Sequence, residues 1–404
     1  MFVRSAAAAA LDRKKELFST YDHERRAEQR RMKGWLEELK ADSAASLNRK
    51  LDDAIDSAWP GALPTAEFDR ADGMRIPLGE AWQNREQARH WALETLEGRP
   101  ALAVDGSQII PTTDYAPPVG AVQIGWFFND RCTATNGDAA GRYEKDIAFE
   151  VLAPDELLDS GGDDGVFPNW RVNQERFIRE CAKLCEFMER CAERPFERRP
   201  VCFLDGSLII SFAGQLRTGR EHGYIQAVQA LLACSERTRT PLVGYVDNTY
   251  SRDLVTLLAR LHGLVAPAQI NDAYLLRETL SSWGDRSPFW ICARPDRLSD
   301  AGRADFYKQV CFCLARVSME NLPARLEIPR WLLESGRADE VVALVLAEAV
   351  VGSGYPYVLE AADVTAVIQQ QDRQRFYRLY QDFLQEQGMA MTVTRKQRSK
   401  QLRR

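Results

Sequence analysis

The stretch Val201-Cys202-Phe203-Leu204-Asp205-Gly206-Ser207-Leu208-Ile209-Ile210 decides how this chain is read. An apolar run suited to a buried strand stops on a carboxylate, turns through Gly-Ser and resumes as an apolar run. The same device stands earlier, in Ala101-Leu102-Ala103-Val104-Asp105-Gly106-Ser107-Gln108-Ile109-Ile110. Asp-Gly is also a strong hairpin signal, so a single copy reads equally well as a tight turn. Two copies, each in an apolar setting, favour two strands that deliver metal-binding carboxylates to one place.

Between the copies, Val119 to Phe128 is rich in β-branched and aromatic residues and predicts a strand. A helix is expected from about Arg171 to Arg194, with Phe177, Cys181, Leu184, Cys185 and Met188 as its apolar stripe. Glu180 lies three residues after Phe177 and four before Leu184, so it points toward that stripe. An inward carboxylate is costly unless paired or bound to a metal; the plain alternative is a boundary residue reaching water. After the second copy comes a helix from about Glu221 to Arg237, then Pro241 to Asp247, a third apolar strand ending on an acid. A helix follows over Leu254 to Leu261. Strand, helix and strand at this spacing predict parallel pairing of the Asp205 and Asp247 strands, while the earlier strands suit hairpins. The expected class is therefore α/β, a mixed sheet flanked by helices.

Residues 1 to about 58 are charged and helical in pattern, ending at Pro60-Gly61 and Pro64. A second helix is expected from about Leu78 to Leu96. Gly161-Gly162-Asp163-Asp164-Gly165 reads as a loop with solvated acids. Phe289 to Ala293 and Val310 to Ala315 read as paired strands, and Leu326 to Trp331 as the opening of a helical region from about Ala338 to Val351. Gly352-Ser353-Gly354-Tyr355-Pro356 is a breaker, followed by a helix from about Leu359 to Gln370 that carries Asp363. The tail from Arg395 is basic and suited to phosphate contacts.

The chain has 404 residues and a net charge of -5, so no global nucleic-acid signature exists, although a local basic groove is compatible with an acidic whole. No apolar run reaches the length of a membrane span. The nine cysteines include no Cys-x-x-Cys, and the four histidines form no cluster, which argues against a disulfide framework or a zinc site and for a reducing cytoplasm. A metal site must then be built from oxygen, which selects Mg²⁺ or Mn²⁺.

In order and spacing these motifs resemble the NurA nuclease family. The resemblance rests on Asp105-Gly106-Ser107, on Asp205-Gly206-Ser207-Leu208, on a helical glutamate between them placed at Glu180, and on Gly354-Tyr355-Pro356. Pro323 to Pro329 also matches a family segment. The resemblance implies an RNase H-like domain over residues 98–370, a helical N-terminal extension over 1–97, and a C-terminal helix with a basic tail over 371–404. It implies Asp105, Glu180, Asp205 and Asp363 as metal ligands and Tyr355 as a catalytic residue. Family members often carry His where Asp363 stands, so a hard oxygen replaces a nitrogen donor and the metal preference is left open. It further implies DNA as substrate, a homodimer, and a HerA-like hexameric ATPase as partner. Phosphodiester hydrolysis agrees with such a site, since two divalent ions roughly 3.5–4 Å apart supply both the nucleophilic water and a stabilised leaving oxygen. Asp105 is the best bridging candidate. Tyr355 is suited to a phosphate oxygen or a metal-held water. Asp247 and Arg252 stand in reserve as a further acid and a phosphate clamp, with a plain turn role as the alternative for Asp247. The competing function is a non-catalytic scaffold that binds DNA or an ATPase through a degenerate site.

Overall fold

The computed structural model describes residues 2–53, 59–80, 82, 84–131, 143–157, 169–267 and 269–395. The glycine-rich loop at 161–165, Cys132 and the basic tail beyond 395 lie outside these residues. The chain divides into two compact units, one of Met1–Trp82 with Tyr245–Glu334 and one of Gln83–Gly244 with Ser335–Arg404. In chain order the strands are β1 (Gly61–Pro64), β2 (Ala101–Ile109), β3 (Tyr115–Ala116), β4 (Gly120–Asn129), β5 (Tyr143–Leu152) and β6 (Val201–Asp205). They continue with β7 (Leu242–Val246), β8 (Trp290–Ala293), β9 (Val310–Ala315), β10 (Ala324–Pro329) and β11 (Thr392–Val393).

In the second unit, which takes in β7 only as far as Gly244, the strand order is β7, β6, β2, β4, β5. β2 runs parallel to β6 and antiparallel to β4, and β4 antiparallel to β5, so the sheet is mixed. The helix His222–Thr238 connects β6 to β7, as the strand–helix–strand spacing predicts. β4 is apolar at almost every position because it is flanked by strands and covered on both faces. Alternation along β2 and β4 assigns the covers. Gln108, Trp126 and Phe128 face the helix Asn169–Arg190, through Asn173 and Phe187. Ser107, Gln123 and Gly125 face the other way, toward the end of the helix Tyr357–Ala366. The helix Ala338–Val351 is apolar nearly all round and is correspondingly buried.

One expectation needs correction here. The first Asp-Gly-Ser does not turn: β2 continues unbroken through Asp105, Gly106 and Ser107 to Ile109, with β4 paired alongside the whole way. The second does turn. β6 stops at Asp205 and Gly206 adopts φ +134°, a left-handed conformation that suits glycine. Leu208, Ile209 and Ile210 are then buried without forming a strand.

The first unit holds the helices Arg4–Asp12, Lys15–Lys40 and Ala44–Asp52 of the expected helical N-terminal region. Its strands run in the order β1, β8, β9, β10, all antiparallel. The expected β8–β9 pairing is present. Leu326 to Pro329, expected to open a helix, belongs to β10, and a helix of one turn follows at Arg330–Glu334. β10 buries Arg325 and Glu327 on one face two residues apart. They neutralise each other, Arg325 Nε donating to Glu327 Oε1 at 2.6 Å. No helix among the described residues is long and apolar enough to cross a membrane.

Candidate active site

The site lies in the second unit, where the sheet has a notch. β2 pairs with β6 only as far as Val104 with Leu204. Beyond that register β6 leaves the sheet and β2 runs on. Asp105 and Asp205 therefore follow directly on the last common rung, one within its strand and one at a strand end. A notch in a sheet lets side chains from opposite faces approach each other, which a continuous sheet forbids. Gly106 enlarges the gap: a methyl group on it would collide with the Glu180 carboxylate and lie 2.6 Å from Arg176 Cγ. Glu180 and Arg176 both project from the helix Asn169–Arg190.

From the other face comes the helix Tyr357–Ala366, bearing Asp363. Three contacts seat its end on the sheet. Gln123 Nε2 donates to the Ala366 carbonyl at 2.9 Å, and the Ile368 N–H donates to Ser107 Oγ at 3.2 Å. Gly125, paired with Asp105, would carry any Cβ to within 2.6 Å of the Ala366 nitrogen. At the helix start, Glu348 accepts from the Val358 N–H at 3.3 Å and is ion-paired with Arg131. The breaker Gly352–Pro356 works as expected. Ser353 and Gly354 take positive φ, and Tyr355 reaches back so that its hydroxyl donates to Asp205 Oδ1 at 3.1 Å.

Electrostatics ties the acids together. Asp105 is raised to about 6, first by burial, and its nearby acidic charges are those of Asp205 and Asp363. Glu180 is raised to about 8, again first by burial, with Asp105 and Asp205 adding to it. Arg176 opposes both shifts without cancelling either. Its Nη1 donates to Glu180 Oε1 at 2.7 Å and to the Gly106 carbonyl at 3.0 Å, and stands 3.9 Å from Asp105 Oδ1.

Asp105, Glu180, Asp205 and Tyr355 are thus brought together, and the charge of Asp363 bears on Asp105. The reserve candidates have other contacts. Asp247 and Arg252 belong to the first unit, where Asp247 accepts from the Tyr245 hydroxyl and Arg252 donates to the Pro267 carbonyl, each at 3.4 Å. Among the described residues, no three His, Cys, Asp or Glu side chains converge tightly enough to hold an ion as they stand. The donor chemistry still fits a hard divalent cation: four carboxylates, two of them disfavoured as bare anions, around a gap that glycine keeps open. Arg176, Glu348 and Gln123 were missed by sequence reasoning. Arg176 carries a faint signal, since it lies four residues before Glu180 and shares its helix face.

A mixed α/β sheet with a carboxylate-lined notch defines the class of this protein. A family model describing the NurA domain matches residues 99–368, and the chain belongs to the NurA family. Among solved structures it is similar to a crystal structure of NurA with manganese, with 11% identity, a TM-score of 0.39, and 74% of this chain and 93% of that chain covered. It is also similar to a crystal structure of NurA with 10% identity, a TM-score of 0.40, and 70% of this chain and 88% of that one covered. No curated protein matches.

Proposed function

We propose that this chain is a divalent-metal-dependent deoxyribonuclease, hydrolysing phosphodiester bonds in DNA end processing and double-strand break repair. The observation that carries the reading is the notch, where a strand interior, a strand end and two helices direct Asp105, Asp205, Glu180 and Asp363 toward one another. A purely structural site would not gather four acids at a gap in a sheet, because their mutual repulsion is left standing. Mn²⁺ or Mg²⁺, as a two-ion site, would supply an activated water and a polarised phosphate when bound. Asp105, one residue past the last rung that β2 shares with β6, would hold metal together with Asp205. Glu180 and Asp363 would complete the set from opposite faces. Tyr355 orients the Asp205 carboxylate through its hydrogen bond and keeps a phenol at the edge of the site, where a phosphate oxygen would arrive. DNA, a second copy of the chain and a HerA-like hexameric ATPase are the partners in this reading. The exposed Leu17, Phe18 and Tyr21 of the long N-terminal helix support a contact role for that region.

The test is cleavage of end-labelled duplex and single-stranded DNA with Mn²⁺, Mg²⁺ or Zn²⁺. Cleavage with Mn²⁺ or Mg²⁺, none with zinc alone, and loss on chelation are expected. Cleavage that survives exhaustive chelation contradicts the reading. For assembly, light scattering at micromolar concentration should give a dimer mass, and a monomer would count against the dimer.

A further inference from the structure

We propose that Arg176 is the displaceable counter-cation of the carboxylate site, holding Glu180 and Asp105 until a divalent ion takes its place. This role rests on the metal-site reading above. One nitrogen, Nη1, serves Glu180 Oε1 at 2.7 Å and the Gly106 carbonyl at 3.0 Å while facing Asp105 Oδ1 at 3.9 Å. That is the place of a shared cation, not of a surface pair. A divalent ion on Glu180 Oε1 and Asp105 Oδ1 would compete with the guanidinium for the space between them and be repelled by its charge.

Three features mark the contact as made to be exchanged. Arg176 Nε is buried without a hydrogen-bond partner, so the guanidinium is held by part of its donor set only. The side chain keeps 30% of its surface exposed, which leaves a path to solvent. Arg176 precedes Glu180 by four residues, the less favourable order for a helix-stabilising pair, so helix stability does not explain it. Gly106 is matched to the arrangement, because a Cβ there would run into Arg176 Cγ at 2.6 Å and Cδ at 3.1 Å. The strand glycine thus makes room for the arginine stem as well as for Glu180.

The test uses the full chain and Mn²⁺ alone, without DNA. Binding is read from the free-ion electron paramagnetic resonance signal for wild type, Arg176→Gln and Asp105→Asn. Removing a like charge from the site should tighten Mn²⁺ binding in Arg176→Gln about tenfold or more, whereas Asp105→Asn should lose it. A second measurement needs no variant. Phenylglyoxal modification of Arg176 in the wild type, read by peptide mass spectrometry, should rise several-fold when Mn²⁺ is added. Equal Mn²⁺ affinity in wild type and Arg176→Gln, with binding lost in Asp105→Asn, overturns the role of Arg176 and leaves the metal site standing. Labelling that Mn²⁺ does not change overturns it as well. Absence of Mn²⁺ binding in all three proteins overturns both readings.

Discussion

In the first unit Asp253 is 1% exposed and lies between two guanidinium groups, whereas in the second unit Glu180, at 5%, has one and shares it with Asp105. Burial pushes the carboxyl of Asp253 up, but Arg294 and Arg325 outweigh it and hold the group below its ordinary range. Its neighbour Asp272 is raised to about 7 by burial and by the charge of Asp253, yet it accepts from the N–H groups of Asp253 at 2.8 Å and Val255 at 3.0 Å, which fixes a helix start. Glu327 is bonded to Arg325 in turn. Around Glu180 the balance is reversed: burial and two acids win over Arg176. The difference teaches that buried charge does not mark a functional site. Several under-compensated acids facing one gap do, because a cation can fill that deficit, whereas the raised Asp272 is enclosed and its oxygens are taken by backbone N–H groups.

The contrast can be broken from the structural side first. Arg325→Met leaves Asp253 and Glu327 buried short of a partner, and stability should fall by about 3–5 kcal/mol in denaturant unfolding. A loss under about 1 kcal/mol would show that the first unit is no better compensated than the second. Gly125→Ala is smaller in volume but strikes backbone at the Ala366 nitrogen. It should cost about 1–3 kcal/mol and, by shifting the helix of Asp363, reduce cleavage far beyond the stability loss. Cleavage that merely tracks the folded fraction would detach that helix from the site.

The pH dependence sharpens the comparison. Asp105 moves from 3.8 to about 6 and Glu180 from 4.5 to about 8, so the folded metal-free chain binds protons that the unfolded chain releases. Their stabilising effect is complete below the unfolded values and lost as pH rises through the folded ones. Metal-free melting temperature should therefore drop between about pH 4 and about pH 8. Asp105→Asn should flatten the lower part of that drop and Glu180→Gln the upper part. A profile identical in all three proteins would refute the strained-acid account. Smallest of all, Tyr355→Phe removes one hydrogen bond to Asp205, worth about 0.5–1.5 kcal/mol, and should slow cleavage by about tenfold or less.

The carboxylate-bearing strands were legible because a buried apolar run that ends on an acid is a local pattern. The inward direction of Glu180 followed from helical spacing alone. What was not legible depends on pairing across the chain. That Asp105 sits inside a continuous strand while Asp205 ends one is decided by β4, which pairs with β2 as far as Ile109, whereas β6, between β2 and the short β7, ends at Asp205; the ten-residue strings look alike. Leu326 to Pro329 read as a helix opening, whereas β10 is a strand whose buried Arg325 and Glu327 are tolerable only with Asp253 brought from far along the chain. Arg176 was not singled out because the hole that admits its stem is a glycine on another element.

The most direct test is cleavage of end-labelled DNA with Mn²⁺ by Asp105→Asn and Asp205→Asn beside wild type, with melting recorded for each. Asparagine keeps the shape and tolerates the same turn geometry, so a structural aspartate would be replaced almost without effect. The account predicts that each variant folds, melts no lower than wild type without metal, and loses more than about a hundredfold in rate, about 3 kcal/mol of transition-state stabilisation. Near wild-type cleavage by either variant, with unchanged melting, would contradict it.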